Sequence, residues 1–161
     1  AQGTGAVTKS ETMQTIRDIV KLDPSAIWLT VDLGYPGTNI PAMAGADCFN
    51  TTQTYPQKER WTMLDESGEY EDFYNRYCHI GATLGSETSF ELLNTDYVNV
   101  TLSPEKFKEL KIKYVVSRNS IDEKIVSGTV FGENQSSLPN GGIEFKKCYS
   151  GAELSIYECI Y

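Results

Sequence analysis

"DYVNVTLSPEKFKELKIKYVVSR", residues 96–118, changes periodicity twice, and its reading decides the fold. "DYVNVTLS" alternates, with Val98, Val100 and Leu102 on one side, as a half-buried strand does. Ser103-Pro104 then opens a short helix, the serine as cap and the proline in its first turn. Phe107 and Leu110 turn inward at helical spacing. "IKYVVSR" (112–118) returns as a strand. A strand, a short helix and a second strand call for a sheet with helices packed on it.

Working outward, Thr8 and Glu11 are spaced as a capping box for a first helix. Ile16, Ile19 and Val20 follow at helical spacing, and Asp23-Pro24 ends it. "AIWLTVD" (26–32) reads as a strand with Ile27, Leu29 and Val31 on one face. "QKERWTMLDESGEYEDFYNRY" (57–77) looks helical in two pieces, broken at Ser67-Gly68. "CHIGATLG" (78–85) and "SFELL" (89–93) are short strands. Three more strands are expected: "KIVSGTVFGE" (124–133), "GIEFKKCYS" (142–150) and "ELSIYECIY" (153–161). The sum is one α+β domain, or α/β, with a mixed sheet, two to four helices and an antiparallel meander of closing strands.

The chain has 161 residues, 40% hydrophobic and 22% charged, which suits one domain with a real core. Its 22 acids outnumber 14 bases, for a net charge of −8. Such a surface argues against nucleic acid and against adhesion to anionic lipid. No run approaches the roughly 20 apolar residues of a membrane span. The start, "AQGTGAVTKS", is small and polar, so residues 1–7 are expected to be disordered or appended.

One histidine and no CxxC leave little for a metal site, and no cofactor motif occurs. "GENQSSLPNGG" (132–142) has glycines but no lysine, and reads as a loop rather than a phosphate cradle. The sequons at Asn50, Asn99 and Asn134 matter only in a eukaryotic secretory path. Four cysteines sit at 48, 78, 148 and 159. A hairpin turning at Gly151-Ala152 would set Cys148 opposite Ser155 and Cys159 opposite Glu144. The two sulfurs would then lie roughly 13 Å apart, too far to bridge, so free thiols are expected there. A Cys48–Cys78 bridge stays open.

"EDFYNRYCHIGATLG" (71–85) holds His79 beside Asn75, Arg76 and Cys78. Cys78 and His79 are strand neighbours, whose side chains point to opposite faces, so they can hardly serve each other as nucleophile and base. One reading is structural: Arg76 steadies a helix end, and His79 is half buried in a sheet. The other makes Asn75, Arg76 and His79 the polar floor of a pocket. The long irregular stretch 33–56, with Asn39, Asp47 and Tyr55, would be its lid. Amide, guanidinium and aromatic groups together suit a sugar or phosphate. The acids at Asp65-Glu66 and at 69–72 read as a solvated face more readily than as a glycosidase pair.

Four stretches, "NIPAMAGADCFNTTQTYP" (39–56), "LDESGEYEDFYNRYCHI" (64–80), "FKELKIKYVVSR" (107–118) and "LSIYECIY" (154–161), occur here in this order. On them, residues 12–161 resemble the C-terminal extracytoplasmic domain of polytopic bacterial membrane proteins. Those proteins look like GT-C type glycosyltransferases, related in layout to protein mannosyltransferases. "YNRYCHI" and "LKIKYVVS" are the most specific parts. The resemblance implies that reaction chemistry resides in a membrane module absent here. This piece would then position a carbohydrate or lipid-linked sugar at the outer side of the cell membrane. The family usually has alanine where this chain has Cys78, which weakens a catalytic or bridging role for that thiol. The family assigns no residue-level role that could be transferred. A stand-alone interaction or scaffold module is the alternative, and a small hydrolase a further one.

Overall fold

The computed structural model describes residues 4–34, 37–50, 58–69, 79–94, 96–132 and 138–161. They form an α+β domain with two mixed sheets. The larger sheet has β1 (Ile27–Val31), β2 (Asp47–Cys48), β6 (Ile112–Arg118), β7 (Glu144–Ser150) and β8 (Leu154–Ile160), in the order β2-β1-β6-β8-β7. β1 runs parallel to β2 and β6, whereas β8 is antiparallel to both β6 and β7. The smaller sheet has β3 (His79–Leu84), β4 (Ser89–Asn94) and β5 (Tyr97–Leu102), in the order β3-β5-β4. There β3 and β5 are parallel, and β4 and β5 antiparallel.

The five-stranded sheet forms the middle layer. On one side α1 (Thr4–Leu22) and α2 (Ile40–Met43) bury Ile16, Ile40 and Ala44 against Trp28, Tyr114, Val116 and Ile156. On the other side the three-stranded sheet lays Ile80, Ala82, Val98, Val100 and Leu102 against Leu29, Val31, Val115 and Tyr157. Alternation in β1 and β6 thus feeds two cores at once, as expected of strands covered on both faces. α3 (Lys58–Leu64) and α4 (Pro104–Glu109) close the second core with Trp61, Leu64 and Phe107. Asp32 N–H donates to Ala82 O at 2.9 Å, joining the end of β1 to β3.

The opening stretch folds as read. Val98, Val100 and Leu102 are fully buried, and the Ser103 hydroxyl accepts from Lys106 N–H at 3.3 Å. Four expectations are corrected. First, the strand expected at 124–133 is absent from its described residues, 124–132. Ile121–Ser127 forms α5, stopped by Gly128 at φ +77°, a left-handed cap that glycine takes without strain. Its β-branched residues invite a strand reading, but Asp122 and Glu123 favour a helix start. Asn140 pins the far end, receiving Val130 N–H at 3.2 Å and donating to Ile125 O at 3.0 Å.

Second, 33–56 is not wholly irregular. A 3₁₀ turn (Gly37–Asn39), α2 and β2 lie within it. Third, the closing strands are no meander, because β8 inserts between β6 and β7. Fourth, α1 starts at Thr4, so Thr8 and Glu11 lie inside it. The break near Ser67-Gly68 is borne out, with α3 ending at Leu64 and Gly68 at φ +73°. The second helix expected at 69–77 falls almost wholly outside the described residues, as do Tyr55, Asn75, Arg76 and Cys78.

The β7–β8 register pairs Phe145 with Cys159 and Tyr149 with Ile156, with a bulge at Cys148. The turn spans Gly151 to Glu153, a residue longer than expected, which shifts every pair. The expected free thiols stand: Cys148 and Cys159 are unbridged. Cys48 is free as well, which removes the Cys48–Cys78 bridge.

Candidate functional site

Of the six residues singled out in sequence, three lie in the described structure, and they are not brought together. Asn39 ends the 3₁₀ turn before α2, on the helical side of the central sheet. Asp47 opens β2 at that sheet's edge. Its carboxylate accepts two bonds from the Arg60 guanidinium of α3, at 3.0 and 2.6 Å. That fork ties α3 to the sheet edge and occupies the carboxylate. His79 opens β3 on the opposite side of the central sheet. Its N–H donates to Asp96 O at 2.7 Å, and its ring is half buried.

His79 marks a surface that sequence reasoning left unassembled. With Ile80 and Ala82 facing the core, alternation turns His79, Gly81 and Thr83 outward on β3. β5 contributes Tyr97, Asn99 and Thr101, and β4 contributes Ser89 and Glu91. The registers set them in rows. His79 pairs with Tyr97; Gly81, Asn99 and Glu91 lie side by side, as do Thr83, Thr101 and Ser89. Such rows are about 4.8 Å apart across strands and about 6.7 Å along them.

Gly81 makes the surface what it is. A Cβ there would stand 2.7 Å from the Tyr97 hydroxyl and 3.0 Å from Asn99 Oδ1. Without it the phenol lies across the β3 backbone. Asn99 Nδ2 donates to Thr83 Oγ1 at 2.8 Å, leaving Asn99 Oδ1 as an acceptor. Burial pushes the Tyr97 phenol above its ordinary pKa, so it stays a neutral donor and acceptor. Among the described residues neither the Tyr97 hydroxyl nor the Glu91 carboxylate has a side-chain partner. The signal lay in "YVNVT" and "HIGAT": each alternates apolar with polar or glycine. Only the parallel pairing of β3 with β5 reveals that the polar sets share a face.

A second concavity, of about 360 Å³, is lined by Asp65, Glu66, Ser67, Glu69, Thr88, Phe90 and Lys106. Here the acid-rich run does meet a cation. Lys106 Nζ donates to Met63 O at 2.9 Å, Glu66 at 3.1 Å and Glu109 at 3.2 Å, using all three donors. Burial alone would lower the Lys106 pKa, but bonds to Glu66 and Glu109 outweigh it and raise it. This lysine caps α3 and fastens it to α4. Another cavity of about 360 Å³ opens by Lys111, Lys113, Glu158 and Tyr161. Its Lys113 is paired with Asp23.

The three described thiols are poor nucleophiles. Burial pushes Cys48 up to about 12, and raises Cys148 and, further, Cys159. Among the described residues no group of His, Cys, Asp and Glu is arranged to hold a metal ion. Asn50 is fully buried with its amide committed to Thr30, so its sequon is closed to modification.

Fold and surface together define an α+β domain whose smaller sheet turns a polar, aromatic-bearing face outward. Residues 6–161 match the model of a family described as a domain of unknown function, DUF7654, and the chain belongs to that family. No curated protein and no solved structure matches it.

Proposed function

We propose that this is a non-catalytic extracytoplasmic domain of a membrane-embedded, glycosyltransferase-like protein, and that it holds a glycan or lipid-linked acceptor. The place is the outer face of β3-β5-β4. One observation carries the reading: Gly81 seats the Tyr97 ring across β3 amid Asn99, Thr83, Thr101, Ser89 and Glu91. Sugars offer hydroxyls in both hydrogen-bonding senses and an apolar ring face. This surface supplies acceptors, donors and an aromatic body at matching spacing. The raised pKa values of Cys48 and Cys159, among the described thiols, support the non-catalytic part. The membrane module and its location follow from the resemblance of the four sequence stretches.

The test is titration of ¹⁵N-labelled protein with cellohexaose, mannohexaose and N-acetylchitohexaose. Shifts are expected at residues 79–85 and 89–101. Tyr97→Ala should weaken binding at least about tenfold, roughly 1.4 kcal/mol, while Tyr97→Phe keeps most of it. Absence of any shift on this face at millimolar sugar would remove the reading. A gene encoding apolar spans upstream of Ala1 would support the membrane part, and a frame starting at Ala1 would count against it.

One observation favours a second reading, a protein-interaction module. Leu92 and Leu93 stand 40% and 53% exposed on β4, the end strand of its sheet. Exposed apolar edges invite pairing with another chain. Concentration-dependent association abolished by Leu93→Lys would support it.

A further inference from the structure

We infer that the β3-β5-β4 face selects glycans bearing protonated amines and rejects anionic ones. This rests on the glycan-holding reading above and names its ligand class. Residues 79–102, which make the whole sheet, contain Glu87, Glu91 and Asp96 against one histidine, His79, and no lysine or arginine. Glu91 is exposed, lies beside Asn99 in the antiparallel register and has no partner among the described residues. Glu87 and Asp96 stand exposed at the two ends of β4.

The hydrogen-bonding balance runs the same way. Asn99 spends one of its two amide hydrogens on Thr83 and keeps its oxygen open. Carboxylates only accept, so the face is rich in acceptors. An ammonium brings three donors and no acceptor, and its charge opposes that of Glu91. A uronate or phosphate would meet like charge here, and the chain's net −8 adds to the repulsion. The amine belongs opposite Glu91, with the sugar ring against Tyr97.

The experiment uses the full chain in mildly acidic buffer, where glucosamine amines are protonated and carboxylates ionised. Glucosamine hexasaccharide, its N-acetylated counterpart and an alginate hexasaccharide are titrated against ¹⁵N-labelled protein. The glucosamine form should bind residues 79–101 at least about tenfold tighter than the N-acetylated form, and alginate should not bind. Glu91→Gln should erase that preference, whereas Glu123→Gln, on exposed α5, should keep it.

Equal binding of both forms on the face, indifferent to Glu91→Gln, overturns the amine selection and leaves the glycan reading standing. Diffuse shifts over the acidic surface that ignore Glu91→Gln and vanish in salt also overturn it. A face silent to all three sugars, and to the neutral hexasaccharides above, ends both readings.

Discussion

Asn50 completes the hydrogen-bond ladder of Thr30 with its side chain. Its Oδ1 accepts from Thr30 N–H at 2.9 Å, and its Nδ2 donates to Thr30 O and Oγ1, both at 2.8 Å. β2 is only two residues long, and Phe49 N–H reaches Trp28 O at 2.8 Å. The amide therefore supplies the next rung, in a fully buried place. Asn50→Ala strands a buried N–H and a buried C=O, each worth about 1–3 kcal/mol. The expected loss is about 3 kcal/mol, read as a lower urea midpoint at unchanged slope. Asn50→Asp should cost at least as much at neutral pH and less in acid, because only the protonated carboxyl can donate to Thr30 O.

The Asp47–Arg60 fork is a modest clamp. Its side chains are 39% and 21% exposed, so screening limits its worth to about 1 kcal/mol despite bidentate geometry. Arg60→Lys should lose most of that, since an ammonium cannot span both oxygens. A double-mutant cycle with Asp47→Asn measures the coupling, and a value near zero would contradict the clamp.

Asp32 should make stability depend on pH. It sits at φ +56°, and burial raises its pKa, partly offset by Lys124. A carboxyl raised in the folded state favours folding most when protonated. That contribution is complete below the unfolded carboxylate range, about 4, and is lost as pH climbs through the raised value. Asn carries no charge and tolerates the left-handed backbone. Asp32→Asn should thus melt above the parent at pH 7, with the gap closing in acid. A constant gap across pH would count against the assignment.

Thiol labelling should separate the cysteines. In a Cys78→Ala background, Cys148 should react slowly with a disulfide reagent in the native state, since the residue is exposed although its Sγ lies against Ile156 O and its pKa is raised. Cys48 and Cys159 are buried and held protonated, and should react only on unfolding. Three thiols titrating at once in native protein would overturn this.

Local periodicity made much of the fold legible. The alternation of Val98, Val100 and Leu102, the Ser103 cap and the Pro24 stop each report a short-range constraint that the structure keeps. In α5, Ile125 and Val126 look like a strand in sequence, while Gly128 and the distant Asn140 decide for a helix. The candidate site was less legible. Within β3 only His79 drew attention, as the single imidazole; Tyr97, Asn99 and Glu91 look ordinary until the strands pair. Asp47 reads as a ligand group in sequence, but its carboxylate faces Arg60, thirteen residues on and in another element. Pairing between strands is non-local, and no spacing within one segment encodes it.

β8 lies inside the larger sheet, yet it follows both of its neighbours, β6 and β7, in sequence. A nascent polypeptide that has emerged only as far as Gly151 offers β6 and β7 with nothing to bridge them. That sheet closes only once residues 154–160 have inserted between them. Until then the backbone edge of β6 that β8 covers, Tyr114–Arg118, stands open to pairing with any other strand.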